Sequence, residues 1–156
     1  MHPEKTKIIY CSSKGKVNKQ YEYRSFDFLG YTFRRRSAVD PKGVHFCSYL
    51  PAISDKSKKA IKEEIRGIKI LQKVQENLGD IAKQLNPKIR GWFNYYGKFT
   101  KSEMSCIEYY IDCHLRKWLQ KKFKKLRKNP GKAQSFLNNL RKNSPKLFAH
   151  WNASTR

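Results

Sequence analysis

The sequence predicts an α+β fold, a small N-terminal antiparallel β segment followed by a mainly α-helical bundle. Three observations carry that reading. Short aromatic and β-branched runs broken by turn residues occupy residues 1–52, apolar residues recur at helical spacing through residues 53–156, and Asn, Pro, Gly and Ser punctuate the second part where helices would start and stop. The boundary at 52/53 divides the chain into a β segment and a helical domain.

In the first part, Lys5–Cys11 contains the run Ile8-Ile9-Tyr10, and Ser12-Ser13-Lys14-Gly15-Lys16 supplies turn chemistry. The aromatic stretch Phe26-Asp27-Phe28-Leu29-Gly30-Tyr31-Thr32-Phe33 partly alternates and predicts a strand. Asp40-Pro41-Lys42-Gly43 predicts a turn, with Val44–Leu50 as the next strand. Two or three such strands do not stand alone and must pack on something else.

In the second part, Ser54 or Asp55 caps a helix expected to run to about Gln75. Ile61, Ile65, Ile68 and Leu71 fall on one side of it, and Lys58, Lys62, Arg66, Lys69 and Lys73 cluster within about 80° of arc at 100° per residue. That is a core stripe beside a basic stripe for solvent or phosphate. A short helix over Leu78–Leu85 is expected to stop at Asn86-Pro87, where Asn86 would cap a new helix with Pro87 in its first position. Ile89, Trp92, Phe93, Tyr96 and Phe99 ride on that helix, and the spacing of Trp92, Tyr96 and Phe99 assigns them to the core. Gly91 inside a helix costs about 1 kcal/mol relative to Ala, which implies close approach of another helix or of a ligand backbone. Thr100-Lys101-Ser102-Glu103 reads as a capping box opening the longest helix. Met104, Ile107, Ile111, Leu115 and Trp118 line one side of that helix, opposite Arg116, Lys117, Lys121, Lys124, Arg127 and Lys128. Asn129-Pro130-Gly131 breaks it, and a last helix over Lys132–Lys142 precedes Ser144-Pro145.

The charge is the outlier. Among 156 residues, 35 Lys and Arg face 12 Asp and Glu, a formal net charge of +23. Asp112 is the last acidic residue, and the 44 residues after it hold 13 Lys or Arg. A compact domain loses stability from such self-repulsion, so a polyanionic partner is the physical expectation, and the asymmetry points to a binding face. No segment is long and apolar enough to span or anchor in a membrane, which favours nucleic acid over lipid, and the start of the chain lacks a signal-peptide core, so the expected location is the cytoplasm. Cys11, Cys47, Cys106 and Cys113 lack knuckle spacing. Cys106 and Cys113 would share a helix face at about 10 Å of rise, too far for one ion, so neither a metal site nor a cofactor is expected. His45, His114 and His150 have no nucleophile or acid at a motif spacing, and a structural role is expected for each.

Two segments resemble group II intron maturases. Phe28-Leu29-Gly30-Tyr31-Thr32-Phe33 with Arg34-Arg35-Arg36 is similar to the strand near the end of their reverse-transcriptase palm, and His2-Pro3-Glu4-Lys5-Thr6-Lys7 to the segment leading there. Leu85-Asn86-Pro87-Lys88-Ile89-Arg90-Gly91-Trp92-Phe93-Asn94-Tyr95-Tyr96-Gly97 resembles the signature of their maturase-specific domain, called domain X or thumb. The resemblance implies a thumb-like helical bundle that stabilises folded group II intron RNA and assists its splicing, chemistry that belongs to the RNA and its magnesium. The cations expected to contact RNA are Lys88 and Arg90 in the signature, Lys98 after it, and the basic face of Arg116, Lys117, Lys121, Lys124, Arg127 and Lys128. Arg34, Arg35 and Arg36 are weaker candidates, and Tyr95, off the apolar stripe, is a candidate to meet RNA.

The family's polymerase centre carries adjacent aspartates holding two metal ions. Here Asp27, Asp40, Asp55, Asp80 and Asp112 are never closer than 13 positions, so no catalytic residue and no polymerase activity is expected. Two other readings stay open. The chain is an inactive remnant of a mobile element, or it completes a reverse transcriptase in trans with a separate palm-containing polypeptide.

Overall fold

A computed structural model describes residues 9–10 and 23–153. The strand expected over Lys5–Cys11 lies outside these residues apart from Ile9 and Tyr10. The described chain is a small antiparallel β structure followed by five α-helices.

The aromatic stretch expected to be one strand is instead a hairpin, β1 (Ser25–Phe28) and β2 (Tyr31–Arg34), with Phe28 opposite Tyr31. Leu29 and Gly30 form the two-residue turn at φ 49° and 79°. Both central residues at positive φ match the right-handed twist of the strands, the geometry that short hairpins favour. A leucine there is sterically costly, so nothing in the local sequence announces the turn. At Gly30 a Cβ would lie 2.8 Å from Ser57 Oγ and 2.9 Å from the Tyr96 hydroxyl oxygen. The hairpin turn is thus pressed against two helices, and only glycine fits. The Gly30 carbonyl accepts from both Ser54 N–H (2.9 Å) and Ser57 Oγ–H (3.0 Å).

Strand β5 (Pro51–Ile53) completes the sheet in the order β1-β2-β5. Pro51 opens an edge strand, where a missing N–H is tolerated. Between β2 and β5 the chain makes a separate ribbon of β3 (Arg36–Val39) and β4 (His45–Ser48). The turn expected at Asp40-Pro41-Lys42-Gly43 joins them, with the Asp40 carboxylate accepting from the N–H groups of Lys42 and Val44, both at 2.8 Å.

Ser54 caps α1 (Asp55–Gly67) by accepting from Ser57 N–H at 3.1 Å. The helix ends at Gly67 rather than near Gln75. Lys69 turns left-handed at φ 54°, and a single 3-10 turn follows at Ile70–Gln72. Helix α2 (Leu78–Tyr96) starts with a capping box between Asn77 and Asp80 and runs through Pro87 without a break. Here the expectation of two helices fails. An interior proline costs about 3 kcal/mol, but Leu85 and Ile89 on either side of it are fully buried and each contributes roughly 1.5–3 kcal/mol. Asn86 caps nothing. Its Nδ2–H donates to the Leu147 carbonyl (2.9 Å) and its Oδ1 accepts from Ala149 N–H (2.8 Å), tying the C-terminal segment to α2.

The expected capping box at Thr100–Glu103 is also absent. Thr100 Oγ1–H donates to the Pro51 carbonyl (2.9 Å), Lys101–Met104 form a 3-10 turn, and α3 spans Ser105–Lys122, one residue shorter than α2. Its expected stripe of Met104, Ile107, Ile111, Leu115 and Trp118 is buried throughout. Asn129-Pro130-Gly131 does not break α3 as expected, because that helix already ends at Lys122; instead Asn129 caps α4 (Pro130–Asn143), its Oδ1 accepting from Lys132 N–H at 2.9 Å. Helix α5 (Ala149–Ala153), which the sequence reading missed, docks through buried His150 and Trp151. Both donate to Asp112 Oδ1, at 2.9 and 3.1 Å. Burial pushes the Asp112 carboxyl up, but His150, Trp151 and Arg141 outweigh it and hold it below the ordinary value. The core joins Ile53 of β5 to all of α1, α2 and α3, to Leu137 of α4 and to Phe148 and Trp151.

A candidate RNA interface

In a chain of this charge a cation is informative only if the protein itself does not already satisfy it. Around α1 most are satisfied. Lys58 Nζ lies 2.8 Å from Glu103 Oε2, and Arg36 Nη1 2.6 Å from Glu103 Oε1, with Arg34 Nη2 at 3.5 Å from the same oxygen. The hydrogen bond from Lys58, joined by that from Arg36, overcomes burial and holds the Glu103 carboxyl down at about 2. This cluster fastens the ribbon and α1 to the start of α3. Lys62 stands over the Tyr110 ring at 5.5 Å, Arg66 Nε donates to the Tyr110 hydroxyl at 2.8 Å, and Lys73 pairs with Glu76 and Gln84. The basic stripe expected on one long helix does not exist. Lys69 and Lys73 lie beyond the end of α1, and Lys58, Lys62, Arg66 and Lys73 all have protein partners.

The signature segment on α2 is divided. Lys88 Nζ is 2.6 Å from Glu64 Oε1, a partner from the opposite helix. Arg90 and Lys98 are exposed, Lys98 standing 5.8 Å from the Phe99 ring. Tyr95 packs edge-on to Tyr96 and against Tyr31, and donates its hydroxyl proton to the Leu29 carbonyl at 3.0 Å while its own carbonyl accepts from the Tyr31 hydroxyl. It supports the hairpin turn and is 48% exposed. Trp92 and Tyr96 pack on the core as their spacing predicts, but Phe99 lies past the end of α2 and is 48% exposed. Gly91 faces open space, so no helix among the described residues approaches it.

The third group lies where α3 gives way to α4. Arg116 is half-buried and bonds Gln134 on α4 (3.2 Å) and Cys113 Sγ (3.7 Å). Lys122 is half-buried too, over Trp118 at 5.0 Å and bonded to the carbonyls of Val74 and Glu76. Lys117 is exposed, as is Lys121, which reaches the Leu71 carbonyl at 3.4 Å. Helix α3 stops at Lys122 and Phe123 is extended, so Lys124, Arg127 and Lys128 do not lie along α3 as expected. They belong to a 3-10 turn at Lys124–Leu126 and the residues after it. Lys124, Lys125, Arg127 and Lys128 are all exposed, and Lys132, missed in the sequence, adds to them from the first turns of α4. Among the described residues these five cations form no ion pair with a carboxylate. Rigid helices on both sides hold a concentrated positive surface that can neutralise phosphates and release their counterions.

Among the described residues no group of His, Cys, Asp and Glu could hold a metal ion, and no helix is long and apolar enough to cross a membrane. No curated protein and no solved structure matches the chain. A family model does match, that of the group II intron maturase-specific domain, over residues 58–136, which take in α1 from Lys58 onward, all of α2 and α3, and the cationic connection into α4. The matched region is maturase-specific and is not the reverse-transcriptase palm. Covering just over half of the sequence, the match establishes that this chain belongs to the group II intron maturase-specific domain family.

Proposed function

We propose that this chain binds folded group II intron RNA and assists its splicing by binding the active RNA structure better than its misfolded competitors, with no polymerase activity of its own. Differential affinity is the only way a binding protein shifts such an equilibrium. The observation that carries the reading is the exposed set Lys124, Lys125, Arg127, Lys128 and Lys132, without an ion pair to a carboxylate among the described residues, within the family match and in a part of the chain free of Asp and Glu. Arg90 and Lys98 extend the contact along α2. Lys88, Arg116 and Tyr95 are held by Glu64, by Gln134 and by the hairpin, and reach RNA only by exchanging those partners. The cytoplasm is the proposed location.

Binding of a folded intron and of a length-matched scrambled RNA, each followed against salt, tests the reading. Contact with about six phosphates gives a slope of log K on log salt of about −4 to −5. Tighter binding of the intron supports the maturase role. Equal affinities with equal slopes leave only a polycation and refute it. A second reading, association in trans with a palm-containing polypeptide, is favoured by the exposed Phe26, Phe28, Val44 and Phe46 of the β structure. Co-purification with such a polypeptide, abolished by Phe28→Ser, tests it.

A further inference from the structure

We infer that the Phe123–Phe136 pair is a stacking platform for an unpaired nucleobase, so that the cationic surface takes single-stranded loop RNA rather than uniform duplex. The inference rests on the RNA-binding reading and adds which RNA conformation the surface selects. Phe123 and Phe136 are 41% and 40% exposed. Their ring centroids lie 6.1 Å apart at 51°. Both backbones are held: Phe123 N–H donates to the Leu119 carbonyl (2.9 Å), its carbonyl accepts from Leu126 N–H (3.0 Å), and Phe136 sits inside α4. The rings therefore project from fixed positions, and a base meeting them loses little freedom to the protein side.

What surrounds them identifies the occupant. Lys124 and Lys125 follow Phe123 directly, and Lys132 stands one helical turn before Phe136 on the same face of α4. An exposed aromatic pair set among cations, in a segment without a carboxylate, fits a polyanion that also offers flat apolar faces. A continuous duplex keeps its base faces stacked on one another. A loop or bulge can splay a base out onto the aromatic rings while its flanking phosphates meet the lysines.

The test uses the full chain with two RNAs of equal phosphate number, a stem-loop carrying a fluorescent adenine analogue in its loop and a blunt duplex. The wild type is expected to quench the analogue on binding, and the double variant Phe123→Leu/Phe136→Leu is expected not to. The double variant should bind the stem-loop roughly 5- to 150-fold more weakly, the range for one stacked base, while its duplex affinity and its salt slope stay unchanged. Phe123→Tyr/Phe136→Tyr should restore quenching and stem-loop affinity. No quenching by the wild type overturns the inference even if the leucine variant fails to fold. Equal loss for stem-loop and duplex also overturns it, as does a changed oligomeric state with stem-loop binding intact, which would assign the pair to a protein contact. None of these outcomes touches the intron-against-scrambled comparison, so the two readings fail separately.

Discussion

Residues 58–73 and 117–132 carry six and eight Lys or Arg in stretches of equal length, and as sequence they look alike. In the fold they differ. Four of the first six are drawn to partners within the fold, Lys58 to Glu103, Lys62 and Arg66 to Tyr110, and Lys73 to Glu76, while Lys59 and Lys69 are exposed. Most of the second set faces out: Lys121 and Lys122 reach backbone carbonyls, the others are exposed, and Asp112, the last acidic residue of the sequence, is itself engaged by His150, Trp151 and Arg141. The difference teaches that charge density locates a candidate surface only after intramolecular partners are subtracted. A cation already paired must give up its partner before it can meet a phosphate.

The largest effect that separates the two regions is on salt dependence. Replacing Lys124, Lys125, Arg127 and Lys128 by Gln should flatten the slope of log K on log salt by about 3 with helical circular dichroism unchanged. Replacing Lys62 and Arg66 by Gln should alter the slope by less than about 1. Titration of RNA binding across salt concentrations reads both. A comparable flattening from the α1 pair would erase the distinction.

The inward set should instead respond in stability. Glu103→Gln removes the counter-charge of partly buried Arg36 and the nearer of the two carboxylates at Lys58, and should cost about 2 kcal/mol in denaturant unfolding. The pH dependence follows from the depressed Glu103 carboxyl. Its contribution is complete above the unfolded value near 4.5 and is lost as pH falls toward about 2. Unfolding curves of wild type and Glu103→Gln should therefore converge toward pH 2, and a constant gap over that range would mean that Glu103 is not the linkage.

Asn86→Ala removes two hydrogen bonds to the segment that carries α5 and should lower stability by about 1–2 kcal/mol. Hydrogen exchange should show the loss concentrated at residues 147–153, while RNA affinity stays as it was. Smallest is Gly91→Ala. A Cβ there meets nothing, so the change should stabilise α2 by about 0.5–1 kcal/mol. If RNA backbone comes close to Gly91 beside exposed Arg90, affinity should fall even as thermal stability rises.

The fold class, the Ser54 cap, the Asp40 turn and the buried stripe of α3 were legible because each rests on neighbours in sequence. The hairpin was not, since Leu29 at positive φ breaks the glycine-asparagine pattern that marks such turns. The continuity of α2 through Pro87 was hidden because tertiary burial at Leu85 and Ile89 overrides the local preference, and Asn86 bonds a segment some sixty residues on. Thr100 and Glu103 have a capping pattern but answer to Pro51, Lys58 and Arg36 instead. At the interface, the cations themselves were legible in the sequence. Which of them are engaged was not, because Lys88 meets Glu64 and Lys58 meets Glu103 across distances no local pattern spans. Phe136 falls within the helix expected over Lys132–Lys142, but nothing in its spacing shows that it stays exposed beside Phe123.

The central claim, that RNA rests on the α3–α4 connection and not on α1, is tested most directly by photo-crosslinking the full chain to folded intron RNA and mapping the linked peptides. Crosslinks should concentrate within residues 117–136, with residues 58–73 nearly free of them. Crosslinks distributed equally over both stretches would contradict it.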